Sequence, residues 1–186
     1  MKQGETFVEG LTRILMLHNV IKEDEAQALV KGFKESGKAN FDQFLLDEGL
    51  VSRTDLLNAL STYYNVPSFD VLGHFFDHQA LHMFPKDFLH RNVIIPLEHD
   101  DNIMLMIAGN PQDPELLPRI GEYVSYDIVF NVGLDQDITD AISEFYDKSP
   151  ADVRDPNEPE ETPEEEYGQE HEQEPNFYKT NKDENS

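Results

Sequence analysis

The sequence contains no cysteine. Disulfides, thiolate metal sites and a cysteine nucleophile are therefore excluded. Basic residues are scarce: 14 Lys and Arg stand against 38 Asp and Glu, a formal net charge of −24. Residues 151–186 hold 13 of the acids and 3 of the bases, which assigns −10 to this segment and −14 to the rest. Such a surface repels phosphate backbones and anionic lipid, so nucleic acid and direct membrane binding are disfavoured and a basic protein partner is favoured. No apolar run approaches the roughly 18 residues that a membrane-spanning helix needs. The opening residues Met1-Lys2-Gln3-Gly4-Glu5-Thr6 lack the apolar core of a signal peptide, so the expectation is cytoplasmic residence. Catalytic signatures are missing too, with neither a Gly-x-Ser-x-Gly elbow nor a His-Glu-x-x-His pair. The many carboxylates read as solvated charge, and the chain is expected to be no enzyme and to carry no cofactor.

Apolar residues are dense up to Tyr146 and sparse afterwards. Only the first part can offset its ordering entropy by burial. Residues 149–186, rich in Pro and Glu, read as a disordered acidic tail. Ahead of it the periodicity divides in two, a helical lobe over residues 1–66 and an α+β lobe over 67–148. In the first, Phe7, Val8, Leu11, Ile14 and Leu15 share a helical face ending near Asn19, and Val20-Ile21 bridges to a second helix. That helix opens on Glu23, Asp24 and Glu25, which complement its dipole, and ends at Gly37. About 30 residues later the pattern recurs. Phe41, Phe44 and Leu45 form a face, Gly49 ends it, Leu50-Val51 bridges, Ser52 to Asp55 resembles a capping box, and Leu56, Leu57, Leu60 and Tyr64 form the next face. Two repeated helical hairpins are expected to pack on each other.

Val66-Pro67-Ser68 breaks the helical pattern. Helices are expected near Asp77–Phe84 and over Lys86–His90. A β-hairpin is expected from Val93–Leu97 and Ile103–Ala108 around the turn His99-Asp100-Asp101-Asn102, with Pro96 on an edge or at a bulge. A helix near Pro114–Tyr123, a strand over Asp127–Val132 and an amphipathic helix carrying Leu134, Ile138, Ile142 and Phe145 complete a β-β-α-β-α order. The fold class is α+β.

These features together resemble the N-terminal domain of type II secretion and type IV pilus assembly ATPases, over roughly residues 8–147. The resemblance rests on three stretches. One is the doubled repeat, clearest in Phe44-Leu45-Leu46-Asp47-Glu48-Gly49-Leu50-Val51. The others are the junction Tyr63-Tyr64-Asn65-Val66-Pro67 and the run from Pro85 to Ala108 followed by Gly109-Asn110-Pro111-Gln112-Asp113. It implies a domain that docks the ATPase to inner-membrane platform proteins, and that in some members binds cyclic di-GMP. The motor is expected to be absent, because the acidic segment follows. Binding members place Arg-Leu-Gly at the start of each repeat and Gln near its end. Here those positions fall on Gly10-Leu11-Thr12, on Asn40-Phe41-Asp42, and on Phe33 and Tyr63. The arginines, start glycines and glutamines are all missing, and Asp42 would repel phosphate, so cyclic di-GMP is disfavoured.

Two further patterns invite sharper readings. Gly32-Phe33-Lys34-Glu35-Ser36-Gly37-Lys38 matches the phosphate-loop spacing, but a helix precedes it and Ala39 stands where the magnesium-binding hydroxyl belongs; a helix ending at Gly37 accounts for it better. His74, His78 and His82 recur every fourth residue, yet no third metal ligand is placed beyond the candidates Asp70 and Asp77, so a surface stripe is the better reading and no metal is expected.

The expected function is a non-enzymatic protein-interaction module: an adaptor or regulator around a secretion or pilus ATPase and its platform, recruited to the inner membrane only through a protein. A cyclic di-GMP sensor and an acidic nucleic-acid mimic are the alternatives. Phe75, Phe76 and Tyr123 are the candidate interaction surface, as aromatics without an evident core role. In such a module the tail would speed association and the lobes would select the partner.

Overall fold

The computed structural model describes residues 5–147; the acidic segment after them, like the first four residues, lies outside that range. Four helices come first: α1 (Phe7–Leu17), α2 (Glu23–Ser36), α3 (Phe41–Asp47) and α4 (Arg53–Tyr64). They are followed by α5 (His78–His82), α6 (Lys86–Asn92), β1 (Ile94–His99), β2 (Ile103–Ala108), α7 (Leu116–Ile120), β3 (Asp127–Val132) and α8 (Asp135–Asp147). The architecture is α+β, as the periodicity predicts.

The internal repeat is reproduced hydrogen bond by hydrogen bond. At the end of α1 the His18 N–H donates to Ile14 O, Asn19 to Met16 O and Val20 to Leu15 O. At the end of α3 the Glu48 N–H donates to Phe44 O, Gly49 to Leu46 O and Leu50 to Leu45 O. Asn19 and Gly49 take the left-handed conformation that closes each helix, with φ of 58° and 63°. The bridging Ile21 and Val51 are both buried. At the start of α4, Ser52 Oγ accepts from the Asp55 N–H, so the cap read from the sequence is in place. Gly37 ends α2 with a φ of 68°, and Lys38 leaves the helix to pair with Asp47 at 2.9 Å. The phosphate-loop spacing is therefore a helix end and its exit lysine.

The sheet has the order β1-β2-β3. β1 and β2 form the antiparallel hairpin, and its register shifts between Pro96 and Glu98. Pro96 thus sits both on an edge strand and beside a bulge, the places where a missing N–H does least harm. β3 returns through α7 to lie parallel to β2, from Ile103 opposite Asp127 to Ala108 opposite Val132.

Two apolar clusters form. One joins Leu11, Leu15, Phe41, Leu45, Leu56 and Leu60 with Val132 and Leu134. The other gathers Leu81, Leu89, Ile94, Ile95, Met104, Met106, Ile107, Ile138 and Ile142. The helical repeat is thus closed by two side chains from the end of β3 and the turn after it. Gly133 between them admits no side chain, since a Cβ would lie 2.6 Å from Ile107. Gly133→Ala is accordingly expected to destabilise by about 1–3 kcal/mol through overpacking, read as a lower midpoint in urea denaturation.

Candidate functional site

Where the helical repeat meets the turn after β3, a cleft of about 510 Å³ opens. Phe7, Phe33, Tyr63 and Tyr64 supply its aromatic wall. Phe7 meets Tyr63 edge-on at 5.2 Å and Tyr64 in a stacked arrangement at 6.2 Å. Asn40 and Asp42 come from the start of α3, Asp135 opens α8, and Gly109, Asn110 and Gln112 follow β2. Gln112 crosses the junction and donates its side-chain N–H to Tyr64 O at 3.0 Å.

Two carboxylates dominate the electrostatics. Asp42 is only 9% exposed. Burial pushes its carboxyl up, the backbone N–H groups of Gln43 and Asp135 pull it back down, and nearby Asp137 raises it again. Asp135 is pushed up to about 6, first by burial and then by the negative charge of Asp42. A Cβ on Gly109 would collide with the Asp135 carboxylate, so the glycine lets backbone and acid approach closely. The Tyr64 hydroxyl is raised as well, by burial and then by Asp135. Alongside, Arg53 Nη1 and Nη2 reach the two oxygens of Asp137 at 3.1 and 2.6 Å, and Nη2 reaches Asp70 at 2.7 Å. Bound negative charge would face two acids in this cleft, whereas a cation would relieve their repulsion.

The positions that the family resemblance singled out converge here. Asn40, Asp42, Phe33 and Tyr63 all line the cleft. Gly10 is buried, and a Cβ on it would fall 2.6 Å from the Tyr63 ring, so the place of the family's arginine lies under the place of its glutamine. Leu11 and Phe41 are core, and Thr12 is buried.

Residues 64–152 match the family model of the MshEN domain. The Pro85–Asp113 run that carries part of the family resemblance lies inside this matched segment, and the doubled repeat lies before it. The fold extends beyond the matched MshEN segment. The structure of MshE with cdg (cyclic di-GMP) aligns over 73% of this chain and 98% of its own, at 18% identity and a TM-score of 0.59. The N-terminal domain of XpsE aligns over 77% and 97%, at 20% identity and a TM-score of 0.53. No curated protein sequence matches the chain.

The remaining sequence candidates lie elsewhere on the MshEN segment. Phe75 is 73% exposed in the loop before α5. Phe76 is partly buried against the second apolar cluster, edge-on to His74 at 4.8 Å. The Tyr123 ring lies over Phe88 at 4.4 Å and near Phe84 at 5.9 Å. Phe76 and Tyr123 therefore also pack against neighbouring rings, while Tyr123 stays 43% exposed. Only His78 and His82 of the histidine stripe share α5, their rings 6.3 Å apart and both against Phe145. His74 precedes the helix and packs edge-on to Phe69. Among the described residues no group of three His, Asp or Glu side chains is arranged to hold a metal. Among them, too, no helix is long and apolar enough to cross a membrane.

Asp135 went unread in the sequence because an acid in a first helical turn has an ordinary explanation in the helix dipole. What marks it is the pairing with Asp42, and only the fold brings residues so far apart in sequence together.

Proposed function

We propose that this chain is a non-enzymatic docking module of a secretion or pilus ATPase system, acting on a protein partner and not on a cyclic dinucleotide. The observation that carries the proposal is the acidic cleft. Its lining includes positions at which the resemblance sets ligand contacts, and it holds Asp42 and Asp135, two acids that would repel the phosphates of a dinucleotide. Tyr63 over Gly10 closes the space that an arginine would need. Removing the ligand leaves docking as the family behaviour that these residues can still support. The likeness to MshE and XpsE gives the fold, and the choice between the two behaviours comes from the side chains.

Two measurements test this. Isothermal titration with cyclic di-GMP should give no saturable heat at micromolar ligand. Co-purification with the secretion or pilus ATPase and the cytoplasmic part of the platform protein encoded in the same genome should yield a complex with one of them. Saturable dinucleotide binding lost in Asn40→Asp would favour the sensor reading. Failure to join either protein would remove the docking reading.

A further inference from the structure

The two edges of the sheet are finished differently. β1 is blunted by Pro96 and by the register shift after it. β3 has neither a proline nor a bulge between Asp127 and Val132. Its hydrogen bonds show which way each residue faces. The Asp127 N–H donates to Asn102 O and the Gly133 N–H to Ala108 O, so the odd-numbered positions face β2. The Val132 N–H instead donates to Pro67 O, and the Phe69 N–H to Val132 O, on the opposite side. The backbone N–H and C=O of Ile128 and Phe130 share that outward direction.

A fourth strand therefore begins at Ser68 and stops after one bridge. The cause lies in the sequence. In parallel pairing the next donor to Phe130 O would be the N–H of residue 67, which is proline. Two residues earlier, Asn65 turns away in the left-handed conformation with a φ of 55°. No backbone or side-chain group of the described residues bonds to Ile128 or Phe130 on the open side.

Beside this edge lies a solvent-facing apolar strip. Ile103 is 52% exposed and Val129 47% exposed, and the register of Leu105 opposite Val129 puts them on one face of the sheet. Natural sheets rarely leave an open edge and exposed β-branched residues together without a lysine, a proline or a bulge to block pairing. Asp100, Asp101 and Asp127 are all exposed at the N-terminal end of the edge, where the hairpin turn meets β3.

We propose that the β3 edge receives an extended, lysine- or arginine-bearing segment of a partner protein as an added strand. Its alternate apolar residues would cover Val129 and Ile103, while its basic residues meet the acidic end of the edge. Charge selects this occupant over two others. A second copy of the chain brings another −24, and residues 151–186 are themselves acidic. The inference rests on the docking reading above, but its test needs no member of the secretion or pilus pathway, so the two can fail separately.

The probe is a short blocked peptide alternating lysine and valine, added to the full isotopically labelled chain. In the free protein the amides of Ile128 and Phe130 should exchange with deuterium quickly although they lie inside a strand, while Val129 and Asn131 stay protected. The peptide should slow exchange at Ile128 and Phe130 and shift their resonances. Affinity should fall steeply with salt, and by about tenfold or more in Val129→Lys, an exposed position where a lysine blocks edges in other sheets. The same peptide carrying glutamate for lysine should not bind. Protection of both amides in the free chain would mean that the edge is already covered and would overturn the proposal. So would peptide shifts centred elsewhere, an affinity unchanged by Val129→Lys, or protection that appears with protein concentration alone and marks a second copy as the occupant.

Discussion

Asp42→Asn should make the protein more stable at neutral pH. Both carboxylates of the cleft carry raised pKa values, and Asp135 stands at about 6 against an ordinary 3.8. A folded-state acid with a raised pKa binds its proton more tightly than the unfolded chain does. Its ionisation therefore works against folding above the folded pKa, and that penalty fades as pH falls toward the unfolded value. For Asp135 the change from 3.8 to about 6 corresponds to about 3 kcal/mol, disappearing between roughly pH 7 and pH 4. Asp42 acts in the same direction. Stability should thus rise on mild acidification, against the usual loss caused by carboxylates that are ion-paired in the native state. Asparagine at position 42 keeps an oxygen for the Gln43 and Asp135 N–H groups and removes the charge. The expected gain at pH 7 is about 1–2 kcal/mol, with the Asp135 pKa falling but staying elevated, because burial is its larger cause. Urea denaturation from pH 4 to pH 8, with carbon-detected titration of Asp135, checks both parts. A wild-type stability that falls steadily from pH 7 to pH 4 would show that the two acids do not meet in a water-poor cleft.

The sequence makes most of the fold legible, and for local reasons. The bridges Val20-Ile21 and Leu50-Val51 each follow a residue suited to a left-handed helix end, and the hydrogen bonds there match across the repeat. The span Asp127–Val132 is read as a strand because Ile, Val, Phe and Val crowd six residues between turn formers. What the sequence does not carry is adjacency. Nothing local says that β3 runs parallel to β2, or that Val132 and Leu134 complete the core of the helical repeat. The cleft is hidden for the same reason. Asp42 is noticed for what it would do to a phosphate, while its partner Asp135 lies beyond the whole sheet in sequence. Aromatic packing is hidden in the same way. Tyr123 and Phe76 look idle because their partners Phe88, Phe84 and His74 belong to loops and short helices with no clear period.

Arg53 supplies the second large effect. From the start of α4 it grips both oxygens of Asp137 on α8 and one of Asp70, joining three segments that share no backbone hydrogen-bond ladder. Asp137 is 13% exposed at its side chain and the arginine 33%. The Arg53 pKa is driven further up, first by the bond to Asp137, so the cation is fixed at every accessible pH. Its charge has a wider role, because Asp137 raises the Asp42 carboxyl and Asp42 in turn raises Asp135. Arg53→Met keeps the aliphatic bulk and leaves this acidic group without its counter-charge. The expected loss at pH 7 is about 1–3 kcal/mol, less than the ~3–5 kcal/mol of a fully buried broken pair because a third of the arginine still meets water. The loss should shrink at pH 5, where Asp135 takes up a proton and the negative charge left without a counter-ion is smaller. In the double variant Arg53→Met with Asp137→Asn, the loss should be smaller than in Arg53→Met alone, since the uncompensated carboxylate is what costs stability. Equal losses in the single and double variants, unchanged between pH 7 and pH 5, would mean that Arg53 contributes packing and no electrostatic clamp.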